Sequence, residues 1–469
     1  MDMLTPILNS ESKIPLYHQL YTFIRSEIRS GKIPSQTKLP SKRKLSAYLN
    51  VSQNTIQAAY DQLMEEGYIV PMERKGFFVN QLDHMKTIRL PRENQQNPAR
   101  SGEKSHLFDF SYHGVDLPTF PFGLWRKLMK DVINEYDEEL LQPGDSLGFL
   151  QLRQAVAQYL HQSRGVHCTK EQIIISSGTE LLFQTLIQLL HKDSIYGIEN
   201  PGYEKLNQLF IGNRADFRSI CIDRKGMILE EIQKSKANIL CITPAHQFPS
   251  GEIMPINRRI QLLNWANEDD NRYLIEDDYD SEFKFSGKPV PALQGLDGNE
   301  KVIYMGSMSK SLSPTIRVSY MVLPTHLMKR YQDKLSYILC PVPVIDQKVL
   351  YYFIRDGYFE RHLNKMRNVY KRKRELLIKN ILDLHSNIQI LGADAGLHLL
   401  VTVENQMSEQ ELITAAYRQG VKVYGISKYY FDKSSLPAPP TILLGYAAMS
   451  EHQICEAVDR LYQAWFSVR

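Results

Sequence analysis

Four short apolar runs, each breaking off into small or acidic residues, constrain this chain most. Ile173-Ile174-Ile175 runs into Ser176-Ser177-Gly178-Thr179, and Ile239-Leu240-Cys241-Ile242 into Thr243-Pro244. Tyr273-Leu274-Ile275 runs into Glu276-Asp277-Asp278, and Val302-Ile303-Tyr304 into a loop ending at Lys310. Short β-branched runs bounded by polar residues read as buried strands, and the segments between them carry the period of amphipathic helices. That alternation predicts an α/β domain with a mainly parallel central sheet, here over residues 106–469, with a smaller α/β subdomain at the C-terminal end. In such sheets ligands bind at the carboxyl ends of the strands, which is where the polar residues fall.

A chain of 469 residues exceeds one ordinary domain. Hydrophobic content of 43% and charged content of 23% are those of a globular protein in water. The net charge of +4 says little about partners, but its distribution says more. No acidic residue lies between Glu27 and Asp61, whereas Arg29, Lys32, Lys38, Lys42, Arg43 and Lys44 all do. The five cysteines (Cys168, Cys221, Cys241, Cys340, Cys455) are scattered, so free thiols in a reducing cytoplasm are expected and no metal site is. No apolar stretch approaches the roughly 20 residues of a membrane span. The first residues lack the basic and apolar regions of a secretory signal.

The basic segment sits in a compact helical pattern over residues 10–80. Leu16, Leu20, Phe23, Ile24 and Ile28 share one helix face, which Gly31 ends. Ser41 caps a second helix with Leu45, Tyr48 and Leu49 expected inward, and Asn50-Val51-Ser52 makes a tight turn. Ser52 caps a third helix carrying Ile56, Ala59, Tyr60, Leu63 and Met64 to Gly67. Tyr68-Ile69-Val70 and Gly76-Phe77-Phe78-Val79 read as strands around the basic tip Glu73-Arg74-Lys75. This is the pattern of a winged helix-turn-helix. Ser41, Lys42, Arg43, Gln53, Asn54, Thr55 and Gln57 lie around its turn and third helix, with types suited to base edges and phosphates of double-stranded DNA. Arg74 and Lys75 would meet phosphate or the minor groove, although a solvated helix face is the ordinary explanation for any one of these residues. Residues 81–105 lose all periodicity and read as a linker.

The strand ends of the large domain carry a specific set of groups. A lysine in a small-residue loop is usually a solvated surface residue, but Lys310 has unusual neighbours. Neutral lysine attacks aldehydes, and a nearby cation such as Arg317 or a desolvated pocket lowers its pKa. Arg317, Ser307, Ser309 and the helix start at Gly178-Thr179 suit a phosphate; Glu180 would have to point away from it. Asp277 suits a pyridine nitrogen, Tyr279 a phenolic ring oxygen, and Tyr203 a ring face, although a core tyrosine explains the last equally well. Together they describe a site for pyridoxal 5'-phosphate (PLP), with Lys310 as the Schiff-base residue.

The arrangement resembles the fold-type I PLP-dependent aminotransferases. The whole chain resembles the MocR subfamily of GntR-type transcription regulators (GabR-like). The resemblance is carried by His246-Gln247-Phe248-Pro249-Ser250-Gly251, Ile275-Glu276-Asp277-Asp278-Tyr279-Asp280-Ser281-Glu282-Phe283 and Arg74-Lys75-Gly76-Phe77-Phe78-Val79. It implies a domain-swapped homodimer, an internal aldimine on Lys310, and an amine or amino-acid-like effector sensed as an external aldimine. Three positions of the large domain and one of the DNA-binding unit depart from the pattern. Phe248 stands where aminotransferases place the asparagine that bonds the ring oxygen, and His246 is a candidate substitute. Ala448 stands where they place the arginine that clamps a substrate carboxylate, with Lys205, His398 and Lys428 as candidate replacements. Lys205 itself stands at the second carboxylate-binding arginine of GabR-like members. The last two departures weigh against a GABA-like effector. Gln53 replaces the usual arginine of GntR readers. The leading expectation is a PLP-dependent transcription regulator; the alternatives are an active aminotransferase carrying a DNA-binding domain, and a DNA-binding protein whose large domain only dimerises.

Overall fold

The computed structural model describes residues 6, 8–81, 108–285, 290–383, 387–431, 436 and 439–466. The chain divides into two compact units, Met1–Gly102 and Glu103–Arg469. The expected linker, apart from Gln81, lies outside the described residues.

The first unit holds α1 (Leu16–Arg29), α2 (Lys42–Leu49), α3 (Gln53–Glu65), β1 (Ile69–Met72) and β2 (Gly76–Val79). Its core is Leu20, Tyr21, Ile24, Ile28, Leu45, Ile56, Ala59, Tyr60 and Leu63, closed by Ile69 and Val79. The Ser41 hydroxyl accepts from Lys44 N, and the Ser52 hydroxyl from Thr55 N, which fixes both helix starts. Asn50 turns the chain between them with φ 53°. The first strand of the wing starts one residue later than expected and runs antiparallel to the second, Ile69 opposite Val79 and Met72 opposite Gly76. Tyr48, expected inward, is exposed. Helix α2 is only two turns long, and Leu45 is fully buried on it while Leu49 packs partly against the core.

The second unit contains β3 (Phe108–Asp109), α4 (Phe122–Tyr136), α5 (Leu150–Arg164), β4 (Ile173–Ser176), α6 (Thr179–Leu189), β5 (Ile195–Asn200) and α7 (Glu204–Gly212). The strands β6 (Asp216–Asp223), β7 (Gly226–Met227), β8 (Ile239–Ile242), β9 (Tyr273–Asp278), β10 (Val302–Ser307) and β11 (Ser319–Val322) follow. The central sheet has the order β4-β11-β10-β9-β8-β5-β6-β7. Its middle, from β10 to β6, is parallel; β11 and β7 are antiparallel to their neighbours. Strand β9 runs three residues beyond the apolar Tyr273-Leu274-Ile275 and takes Glu276, Asp277 and Asp278 with it. Buried acids are tolerated there because partners meet them. Glu276 accepts from Leu293 N at 2.8 Å and Gln294 N at 2.9 Å, while Asp278 receives Arg164 Nε at 2.8 Å and the Tyr304 hydroxyl at 2.7 Å.

The C-terminal subdomain differs from the α/β expectation. It is built on an antiparallel sheet of β12 (Ile388–Leu391), β13 (His398–Val403), β15 (Tyr424–Gly425) and β16 (Thr441–Gly445), in the order β12-β13-β16-β15. A separate short strand, β14 (Val421–Lys422), pairs in parallel with β3, so residues just after the linker complete this end of the unit. Apolar alternation on one sheet face cannot tell strand direction from sequence.

Candidate functional site

The ends of β4, β5, β8 and β9 surround one cleft, lined among others by Thr179, Glu199, Tyr203, Thr243, Phe248 and Asp277. Asp277 Oδ1 is buried and meets no hydrogen-bond donor among the described residues. Desolvation, reinforced by Asp278, Asp280, Glu199 and Glu180, pushes its carboxyl up to about 7. Glu199 is a second buried carboxyl in the cleft, pushed up to about 7 by burial; it accepts from Thr243 Oγ1 at 2.6 Å. Tyr203 meets Phe248 edge-on, with ring centroids 5.9 Å apart.

Lys310 follows the end of β10. Its Nζ donates to the backbone carbonyl of Tyr112 and lies 5.7 Å from that ring's centroid. The residue keeps some accessible surface, but protein surrounds its amine, and desolvation lowers it to about 8 against an opposing pull from Asp280. Burial, and not the Arg317 charge, is therefore what lowers this lysine.

A third group of residues faces the start of α6. Gly178 takes φ +91°, and a side chain there would collide with the Arg317 guanidinium. Arg317 Nη2 lies 3.0 Å from Glu180 Oε2 and 3.4 Å from the Ser177 carbonyl, so Glu180 turns toward this corner and not away from it. The Ser307 hydroxyl donates to Ser309 Oγ at 2.9 Å and accepts from Ser309 N at 3.2 Å.

Tyr279 points to His246: its hydroxyl lies 2.9 Å from His246 Nδ1. The same nitrogen is 3.0 Å from both carboxylate oxygens of Asp280, and both residues are buried. Phe248 packs among Tyr112, Tyr203, Tyr279, His398 and Tyr429. His398 Nε2 is 3.1 Å from the Pro249 carbonyl oxygen. His246, Asp280 and His398 bring one potential ligand atom each within 4.8 Å of one another. We read them as a hydrogen-bonded group, with Asp280 on His246 Nδ1 and the Pro249 carbonyl on His398 Nε2.

Ala448 is exposed and faces Gly114, where an added methyl would meet its own. Lys428 Nζ lies 6.0 Å from the Tyr112 ring centroid and 3.9 Å from Glu204 Oε1. Partial burial, then Lys310, Lys205 and Lys428, hold the His113 imidazole below its ordinary value. Sequence reasoning missed Tyr112, Arg164, Glu199 and Asp280 as site neighbours. Only Asp280, three residues beyond Asp277 in the quoted acidic run, carried a local signal.

In the first unit Arg43, Gln53 and Asn54 are exposed, as are Arg74 and Lys75 on the wing. Three other expected DNA contacts are engaged internally. Lys42 Nζ donates to Gln57 Oε1, Gln57 Nε2 donates to Asp61 Oδ1 at 2.5 Å, and Thr55 Oγ1 lies 2.9 Å from the capping Ser52 hydroxyl. Ser41 serves as the α2 cap. Lys38, not among the expected contacts, is exposed and lies beside the wing, paired with Phe78 and against Gly76.

Residues 16–79 match the family model for bacterial regulatory proteins of the gntR family, and residues 116–461 match that for aminotransferase class I and II. The HTH-type transcriptional regulator YdeL of Bacillus subtilis is 41% identical over 98% of this chain and 99% of its own length. The probable rhizopine catabolism regulatory protein MocR of Rhizobium meliloti is 29% identical over 98% and 96%. Among solved structures, the kynurenine aminotransferase of Pyrococcus horikoshii is 26% identical, covering 77% of this chain and 91% of its own, with a TM-score of 0.68.

Proposed function

This chain belongs to the HTH-type transcriptional regulators that join a gntR domain to an aminotransferase class I and II domain, and on that premise we propose that it binds PLP and reports an amine or amino-acid-like effector to DNA. The aminotransferase class I and II fold is PLP-dependent, and the gntR domain is a DNA-binding domain. The observation that carries the reading is the pairing of a desolvated amine at Lys310 with an Asp277 carboxyl whose Oδ1 is buried and meets no donor among the described residues, on one chain with a winged helix-turn-helix.

These residues fit PLP. Asp277 Oδ1 lacks the donor that a protonated pyridine nitrogen supplies. Gly178 leaves room beside the Arg317 guanidinium that a side chain would fill, and the α6 start offers N–H groups to a phosphate. When bound, PLP supplies an aldehyde for amines and an electron-withdrawing ring. Lys310 offers the anchoring amine, which burial keeps easily deprotonated. Asp277 holds a proton on the ring nitrogen, Tyr279 donates to the phenolic oxygen, and Tyr203 and Phe248 wall off the ring. Ser307, Ser309, Thr179, Gly178 and Arg317 hold the phosphate, with Glu180 released from Arg317 or kept to its far side.

No arginine stands at Ala448 to pair an effector carboxylate, so the effector is an amine, or an amino acid gripped from the side of Lys205 and Lys428. In the DNA reading, Arg43, Gln53 and Asn54 face base edges, Arg74 and Lys75 the backbone, and Lys42, Thr55 and Gln57 act partly by holding α3 in place. In this reading the chain works as a cytoplasmic, domain-swapped homodimer, and a residual transaminase half-reaction is compatible with the retained lysine. The test is a promoter-binding screen of the PLP-loaded protein with a panel of amines and amino acids. Operator binding that changes with one of them supports the reading; efficient multiple turnover of an amino acid with no effect on DNA binding favours an active aminotransferase.

A further inference from the structure

We propose that His246 and Asp280 form a positioning dyad that aims the Tyr279 hydroxyl proton at the ligand, in the role that an asparagine at Phe248 would otherwise fill. The proposal rests on the PLP reading. Asp280 lies within 3.0 Å of His246 Nδ1 through both oxygens, so the carboxylate accepts the Nδ1 proton and fixes the imidazole. The Tyr279 oxygen, 2.9 Å from the same Nδ1, then shares that proton as an acceptor. Its own hydrogen is then not spent on His246 and is available to a ligand. With Nδ1–H and Asp280 reversed, Tyr279 would donate backward to His246 and have nothing to give a ligand. Phe248 cannot bond an oxygen; it packs the ring wall instead.

The surroundings are built to keep this geometry. Gly396, with φ +72°, precedes β13, and any side chain there would strike His246 Cε1 and Nδ1 and Asp280 Oδ2. Its carbonyl accepts from the Tyr446 hydroxyl at 2.7 Å, and its N–H donates to the Phe283 carbonyl at 2.7 Å, so the glycine is held against the dyad from both sides. The titratable groups facing these residues are Asp277, Asp280, Glu199 and Tyr112 around Tyr279, His398 beside His246, and Lys310 near Asp280 and His398. His246 Nε2 is buried and unpartnered among the described residues, so the hydrogen bonds that place the ring run through Nδ1.

The test follows the pH midpoint of the visible absorption of Lys310-bound PLP. A donor on the phenolic oxygen favours its anionic form and eases loss of the neighbouring imine proton. Tyr279→Phe therefore raises the midpoint, by about one pH unit for one lost charge-assisted bond. His246→Phe is expected to raise it in the same direction, and the double variant by no more than Tyr279→Phe alone, because both remove one bond. His246→Gln, which can still hydrogen-bond, should recover part of the shift. Gly396→Ala, which crowds the dyad without touching the ligand, serves where His246→Phe does not fold, and should also raise the midpoint. A midpoint indifferent to His246 and Gly396, or additive shifts in the double variant, overturns the dyad alone. Absence of any PLP band in the unaltered protein overturns the cofactor reading and the dyad with it.

Discussion

Asp277→Ala should stabilise the PLP-free protein while weakening PLP binding. Burial and the acids Asp278, Asp280, Glu199 and Glu180 lift its carboxyl from 3.8 to about 7. A raised acid destabilises the folded state in its ionised form. That penalty is absent below the unfolded value near 3.8, grows as pH rises to about 7, and is full above it. At about 1.4 kcal/mol per pH unit the shift has a ceiling of about 4 kcal/mol. The residue is only half-buried at an open cleft, so solvent screening brings the expected gain at pH 8 to about 1–2 kcal/mol. Alanine removes the charge without leaving a new buried polar group, and the side chain faces a cleft, so little packing is lost. The same change removes a charge-assisted bond of about 1.5–3 kcal/mol to a ring nitrogen, a roughly tenfold to hundredfold loss of PLP affinity. Thermal unfolding without PLP at pH 8 and at pH 4, with equilibrium dialysis of PLP, measures both. The stability gain should vanish at pH 4. A variant less stable than wild type at pH 8, or one that keeps its PLP affinity, refutes the reasoning.

Three further outcomes are expected. Arg43→Ala should cost about 1–3 kcal/mol and relax preference at one operator position, whereas Lys75→Ala should weaken all sequences alike and flatten the salt dependence, both read by binding titrations at several salt concentrations. Arg164→Leu leaves Asp278 without the partner at 2.8 Å and should destabilise the large domain by about 3–5 kcal/mol, read by denaturant unfolding. GABA should not bind saturably at micromolar concentration in a spectral titration, because a carboxylate beside PLP would find the Ala448 methyl where a guanidinium is needed.

What the sequence made legible follows from locality. Strand ends showed because an apolar run stops where small or charged residues begin, and Asp277, Tyr279 and Lys310 follow closely on such stops. Caps showed because Ser41 and Ser52 bond three residues ahead. Long-range partners did not. Arg164 meets Asp278 across 114 positions, and Lys310 meets the Tyr112 carbonyl across 198. No periodicity encodes either contact. The sequence left the cause of the Lys310 shift open between the Arg317 charge and a desolvated pocket, and the fold decides for desolvation. Likewise Gln57 and Lys42 looked like DNA readers by type; that they bond each other depends on the crossing of α2 and α3. Gly396 was not singled out, because its reason, the space taken by His246 and Asp280, lies on another part of the chain.

The most direct test of the central claim is borohydride reduction of the purified, PLP-treated protein, followed by digestion and peptide mass analysis. One phosphopyridoxyl group on Lys310, absent from Lys310→Ala although that variant remains folded, is the predicted result. A reduced adduct on a different lysine, or none at all, contradicts the account.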